Sequence, residues 1–148
     1  MLQKREKGAA VQQKQLDITL VTPTAAMSAE AYGGRAKCLQ RLVRLDLPVP
    51  RTVALSFKAV HEIASGSPVD VNAILGYFDH SDLICVRPSS QSADWGGPGA
   101  VLNIGMNKAR YALLCDTLGA EAAAILYLSF VQAYSIHVAR LDADVFGH

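Results

Sequence analysis

The sequence is poor in the residues that mark several protein classes. Among its 148 residues only three are cysteines, at Cys38, Cys85 and Cys115. Their number is odd and no C-x-x-C pair occurs, which argues against a disulfide framework and against a zinc site. The pattern predicts reduced and mostly buried thiols in a cytoplasmic protein.

Charge is scarce as well. Charged residues make up 18% of the chain, and the formal net charge is +1. Because there is no basic excess, the composition argues against a dedicated nucleic-acid binder. Apolar residues make up 51%, which excludes a chain that is disordered throughout. The length suits one compact domain with a core of its own.

No segment is typical of secretion or of membrane insertion. Residues 1–15 are polar and basic and lack the apolar run of a signal peptide, so we predict a disordered lead-in there. Residues 120–141 are mostly apolar, but Glu121, Gln132 and Arg140 interrupt them, and the longest apolar run falls short of the ~20 residues of a membrane span. We therefore expect a helix buried on most sides, either within the fold or against a second copy or a partner chain.

The remaining pattern predicts an α+β (mixed α/β) fold, with a small sheet and several packed helices. Short apolar runs indicate strands at 17–21, 53–55, 83–86 and 101–105, the third of them buried on both faces. Residues 22–31 contain Pro23 and several small residues, which predicts a loop. Helices are predicted after Gly34 and over 57–64, 71–78, 108–118 and 120–141, and three of these have N-cap residues in Ser56, Asp70 and Asn107.

The first feature with possible chemistry is the glycine pair Gly33-Gly34, followed by Arg35, at a predicted helix start. Two glycines let a ligand approach the backbone closely, and a helix N-terminus favours anions. Arg35 is then placed to reach a phosphate oxygen. A plain turn before a helix explains the same residues, and locally it is the commoner explanation.

The second feature is Arg87, directly after the predicted strand at 83–86. Ligands often bind at such strand ends in α/β sheets, and the planar guanidinium matches a phosphate group. An ion pair with Asp82 or Asp94 is the structural alternative, and the sequence does not separate the two.

The third feature is the segment from Ser89 to Gly99, which is rich in serine, glycine and proline. Hydroxyl groups and free backbone N–H groups of this kind can hold phosphate. The segment does not match the P-loop pattern G-x-x-x-x-G-K-[ST], and a surface connection is the alternative. The four histidines form none of the spacings of a metal site or a catalytic motif, and no metal ligands are predicted.

Four blocks in order resemble the N-terminal region of the pyruvate, phosphate dikinase and phosphoenolpyruvate synthase family. That family has G-G-K-x-A-x-L, then L-G-L-P-V-P-P-G-F, then V-R-S at a strand end, then T-V-L-N-L-G-L-N. The matching stretches here are Y-G-G-R-A at 32–36, L-D-L-P-V-P at 45–50, I-C-V-R at 84–87 and G-A-V-L-N-I-G-M-N at 99–107. The final helix is similar to the stretch that follows in the dikinases.

The resemblance implies that residues 16–148 form part of an ATP-grasp-like nucleotide-binding domain. In the family, ATP phosphorylates a distant histidine, which passes the phosphoryl group to pyruvate to give phosphoenolpyruvate, with Mg²⁺ as the usual ion. Arg35 stands at the family's nucleotide-contacting lysine, and Arg87 matches an arginine that contacts phosphates. The other nucleotide-binding positions implied are Gly33, Gly34, Ser92, Gly96, Gly97 and Gly99.

The sequence also departs from the family. Arginine replaces the lysine at Arg35, Pro88 replaces the serine after the arginine, and the methionine-rich loop of the family is rebuilt at 93–100. The carboxylates for Mg²⁺, the G-G-x-T-S-H-x-A phosphohistidine segment and the pyruvate-binding barrel do not occur before His148. We expect an ATP-binding lobe that is not active alone. The alternatives are a non-catalytic interaction or regulatory module that kept the fold, and an unrelated small domain.

Overall fold

The computed structural model describes residues 16–90 and 99–146 and shows a small α+β fold. The predicted α+β class is confirmed, and the ATP-grasp-like architecture stays a prediction. The four strands form two separate antiparallel pairs within these residues, not one small sheet. The elements are β1 (Ile18–Leu20), α1 (Ala29–Arg44), β2 (Val53–Leu55), α2 (Phe57–Ala64), α3 (Val71–Leu75), β3 (Ile84–Val86), β4 (Val101–Ile104), α4 (Lys108–Leu118) and α5 (Ala120–His137), followed by a 3-10 turn at Ala143–Phe146.

The three predicted N-caps are confirmed. The side chains of Ser56, Asp70 and Asn107 each accept a hydrogen bond from a backbone N–H in the first turn of α2, α3 and α4. The strand at Val53–Leu55 and the helix at Phe57–Ala64 have the predicted bounds. α3 is three residues shorter than predicted: Gly76 is its C-cap, and the backbone N–H groups of Tyr77 and Phe78 donate to the carbonyl groups three residues earlier, not four.

α1 begins earlier than the glycine pair. Ser28 is its N-cap, and the Ser28 hydroxyl accepts from the backbone N–H of Ala31 at 3.2 Å. The backbone N–H groups at this helix start hold the pKa of Glu30 below its usual range, with the Ser28 hydroxyl adding to the effect. Gly33 then interrupts the helix with φ 84° and ψ 162°. The prediction of a loop over 22–31 was therefore wrong for its last residues. The glycine pair lies at the kink between two helical stretches, and the second stretch begins there as predicted.

The buried apolar cluster of the first half of the chain lies where α1 meets β1 and β2. Val21, Met27, Tyr32, Ala36 and Ala54 form one buried cluster there. β1 and β2 pair antiparallel, with Val53 opposite Leu20. The Tyr32 hydroxyl donates to the Asp17 carboxylate at 2.8 Å and lies 2.9 Å from the Thr19 hydroxyl. Burial raises the pKa of Tyr32 above its usual range, and the neighbouring Asp17 carboxylate adds to this.

The second sheet is more exposed than predicted. β3 pairs with β4 alone among the described residues, with Ile84 opposite Ile104. Cys85 and Val86 are exposed, so the prediction of a strand buried on both faces was wrong. Cys38 is exposed as well and Cys115 is half-buried, which also corrects the prediction of mostly buried thiols.

α5 packs against β4 and α4 on one side only. The Asn103 side-chain amide donates to the Leu126 carbonyl at 3.2 Å, and the Tyr111 and Tyr127 rings lie 5.7 Å apart. Ala123 is nevertheless the only buried residue of this helix, so burial on most sides is not observed. None of the helices in the described part of the chain has the length and apolarity needed to cross a bilayer.

Candidate functional site

The kink at Gly33 lies directly against the segment that follows β3. A Cβ atom placed on Gly33 would lie 2.4 Å from the Ser89 hydroxyl oxygen and 2.6 Å from the Ser89 carbonyl oxygen. Only glycine allows this approach, and it also tolerates the positive φ of the kink. The fold thus brings together two of the predicted features, the glycine pair and the segment after Arg87, which are more than fifty residues apart in the sequence.

Two backbone N–H groups of α1 donate hydrogen bonds to the segment that follows β3. The backbone N–H of Gly34 donates to the Ser90 carbonyl at 2.8 Å, and the backbone N–H of Ala36 donates to the Ser89 hydroxyl at 3.2 Å. These N–H groups belong to the set that was predicted to face an anion. Since both already have partners within the chain, a phosphate at this kink would be held mainly by side chains.

Two exposed arginines flank this junction. One Arg35 guanidinium nitrogen donates to the carbonyl oxygen of Pro88 at 3.1 Å, so its charged head lies beside the residue that follows Arg87. Arg87 is exposed, and neither a hydrogen bond nor an ion pair engages its side chain among the described residues. The Asp82 carboxylate instead accepts from the backbone N–H of Asp79 at 3.0 Å, so pairing of Arg87 with Asp82 is not observed.

The structure describes only part of the third predicted feature, the segment from Ser89 to Gly99. Gly99 lies beside α5, where an added Cβ atom would be 2.5 Å from Nε2 of His137. Among the described residues no hydrogen bond joins Gly99 to the arginine junction. Ser92, Gly96 and Gly97 lie outside the described residues, as do Asp94 and the predicted lead-in at 1–15.

Sequence reasoning missed a polar network behind the kink. Gln40 is a polar residue of α1, yet it is fully buried. Its amide nitrogen donates to the carbonyl oxygens of Thr22 at 3.1 Å and Ala25 at 2.7 Å, and its oxygen accepts from Nζ of Lys37 at 2.8 Å. Lys37 also donates to the Met27 carbonyl at 2.8 Å. The sequence signal for this burial is the spacing, because Gln40 is four residues after the apolar Ala36 and so lies on the same side of the helix.

The described residues do not fit a magnesium ion. No group of three or more His, Cys, Asp or Glu side chains in the described ranges is close enough to hold a metal. Mg²⁺ in nucleotide sites is held by carboxylates together with the phosphates. We therefore derive no chemical step through a metal for this chain.

Comparison with protein-family models, with curated proteins and with solved structures finds no match.

Proposed function

We propose that this chain is a nucleotide-binding lobe of the dikinase type, which binds ATP phosphates through Arg35 and Arg87. The observation that supports the proposal most is the junction at Gly33. It joins two blocks of the family resemblance in space, and it does so through a contact that only glycine permits.

The charges at the junction favour an anionic ligand. Both guanidinium groups are exposed, and Arg87 has no carboxylate partner among the described residues. Arginine holds phosphate oxygens through two parallel N–H donors, which makes this the side chain best suited to the task. The Pro88 carbonyl orients the Arg35 head while its other nitrogens stay available.

The proposal covers binding and not the whole reaction. Phosphoryl transfer to pyruvate requires a positioned metal and a phosphohistidine, and the sequence resemblance covers neither. The proposed role is to present nucleotide, in a cytoplasmic phosphotransferase (kinase) of the dikinase type, to chemistry performed by other parts of such an enzyme.

Isothermal titration with Mg-ATP, Mg-ADP and AMP tests the proposal. We expect saturable binding whose affinity falls in the order ATP, ADP, AMP, because the arginines hold phosphates. Each charge-assisted hydrogen bond contributes about 1.5–3 kcal/mol, so Arg35→Ala and Arg87→Ala should each weaken ATP binding about tenfold or more.

Arg41→Ala is the matched control. Arg41 lies on the same helix and is exposed, so its removal changes the net charge equally without touching the junction. Equal loss of affinity in all three variants would indicate nonspecific attraction. Absence of heat at millimolar ATP, with the chain folded by circular dichroism, would overturn the proposal.

A second candidate function is an interaction module that has lost nucleotide binding. The observation that favours it is the occupation of the Gly34 and Ala36 N–H groups by Ser90 and Ser89. The exposed apolar side of α5 would then be its contact surface, toward a partner chain or a second copy. A folded chain that does not bind ATP in the titration above would favour this candidate.

A further inference from the structure

The exposed side of α5 carries an apolar stripe. Its large apolar side chains are between 39% and 58% exposed. No Asp, Glu, Lys or Arg occurs between positions 124 and 138. The stripe, here called the α5 stripe, consists of Ala124, Ile125, Leu128, Val131 and Tyr134 of α5 together with its C-cap residue Val138.

The spacing of the stripe is that of one helix face. Positions 124, 128, 131, 134 and 138 follow each other at intervals of four, three, three and four, which keeps these side chains on one side of a helix. The side of α5 that carries Leu126 contacts β4, and α4 contacts Tyr127. The large members of the stripe stay about half exposed among the described residues, so the stripe is a further packing face.

We propose that the α5 stripe is a homodimer interface in which two copies of α5 pack antiparallel about a two-fold axis near Val131. The inference does not depend on nucleotide binding. Two observations select a second copy as the occupant: the fit of the stripe to itself when reversed, and the charges at its two ends.

The reversed stripe is complementary to itself in size. With Val131 on the axis, the small Ala124 of one copy faces Val138 of the other, and Leu128 faces Tyr134. A parallel pair would place Ala124 against Ala124 and leave a gap at that level. Two-fold interfaces require this kind of self-complementarity, in which each residue contacts the reversed position of the partner.

The charges at the ends favour the same orientation. Glu121 precedes the stripe and Arg140 follows it, and both are exposed with no hydrogen-bond or ion-pair partner among the described residues. In the antiparallel pair Glu121 of one copy lies near Arg140 of the other, at both ends. In a parallel pair two Glu121 carboxylates would meet, and the helix dipoles would also align unfavourably.

The area agrees with a modest dimer. An aromatic side chain such as Tyr134 offers about 150–250 Å² and the aliphatic members offer less, so five side chains that are about half exposed contribute roughly 400 Å² per copy. Stable interfaces bury about 800 Å² per partner, and flanking atoms around Leu118 and Leu141 supply part of the difference. We therefore expect dissociation in the micromolar range.

Sedimentation velocity between about 1 and 200 µM protein tests the proposal. The wild-type chain should shift from monomer to dimer across this range, and Leu128→Glu/Val131→Glu should remain monomeric. Leu113→Glu is the matched control, because Leu113 is an equally exposed apolar residue on α4 and should leave the dimer unchanged. Circular dichroism of each variant confirms that it folds.

The orientation is tested by charge reversal. Glu121→Arg and Arg140→Glu should each weaken the dimer severalfold, and the two changes combined should restore it. A wild-type monomer at 200 µM, or a dimer that survives Leu128→Glu/Val131→Glu, would overturn the interface. Failure of the combined variant to restore affinity would overturn the antiparallel arrangement.

Discussion

At the scale of single residues, Gly33 determines how the candidate site is built. Its φ of 84° and ψ of 162° lie in a region that residues other than glycine rarely adopt. Ser89 fills the space where a Cβ atom would be. The neighbouring Gly34 has ordinary room, with the Ser90 carbonyl oxygen 3.5 Å from an added Cβ. The two glycines of the pair therefore have different roles.

Gly33→Ala should destabilise the fold strongly. The backbone conformation alone costs a non-glycine residue about 1–3 kcal/mol, and the clash with Ser89 adds to this. Urea unfolding measures the loss. Gly66→Ala is the control, because Gly66 has a similar φ of 92° but open space around it, and Gly34→Ala should cost less than either. Equal losses at Gly33 and Gly66 would contradict the contact with Ser89.

Because of Tyr32, the free energy of unfolding should decrease as the pH becomes alkaline. Burial raises its pKa in the folded state, so the folded chain holds the phenolic proton more tightly than the unfolded chain does. The resulting stabilisation is fully present below pH ~10 and is lost as the pH rises through the folded pKa.

The free energy of unfolding should thus fall more steeply above pH ~10 in the wild type than in Tyr32→Phe. Tyr32→Phe should also cost about 0.5–1.5 kcal/mol at neutral pH, because the hydrogen bond to Asp17 is lost. Denaturant titrations at pH 8 and pH 10.5 give both values. Identical pH slopes in the two proteins would show that Tyr32 does not titrate with folding.

At the scale of elements, local signals predicted the helices well. Ser56, Asp70 and Asn107 are caps whose effect depends only on the next three residues, and each begins a helix as predicted. The pairing of strands could not be predicted in this way. The apolar run at 83–86 is compatible with a strand covered on both faces, and only the long-range pairing with β4 alone leaves Val86 exposed.

In the candidate site as well, local features could be predicted from the sequence and long-range contacts could not. The glycine pair and Arg87 were visible in the sequence, but the contact of Gly33 with Ser89 depends on how α1 and β3 meet. Gln40 was missed because an amide on a helix is ordinarily solvated. Its burial is explained only by the carbonyl groups that the 22–25 segment turns toward it.

The attachment of α1 to the 22–25 segment can be tested at Gln40. Gln40→Met keeps the length and removes the donors, which leaves the Thr22 and Ala25 carbonyls without this partner at about 1–3 kcal/mol each. We expect a clear loss in the free energy of unfolding. Arg41→Ala, one residue along on the exposed side, should have little effect. A Gln40→Met chain as stable as the wild type would contradict the role of the network.

At the scale of the whole molecule, apolar surface is distributed unevenly. The buried cluster lies in the first half of the chain, whereas only Val101, Met106 and Ala123 are buried in residues 99–146. A helix that is apolar on nearly all sides ordinarily lies inside a larger assembly. The proposed dimer accounts for this surface, and the arginine junction on the other half stays available for ligand.

We propose that phosphate binds at the junction of Gly33, Arg35 and Arg87. The most direct test is a titration of the ¹⁵N-labelled chain with Mg-ATP, followed by two-dimensional NMR. We predict saturable shift changes at the amides of Gly34, Arg35, Arg87 and Ser89, with α2 unaffected. A spectrum that does not change at millimolar ATP, or changes confined to residues away from this junction, would contradict the account.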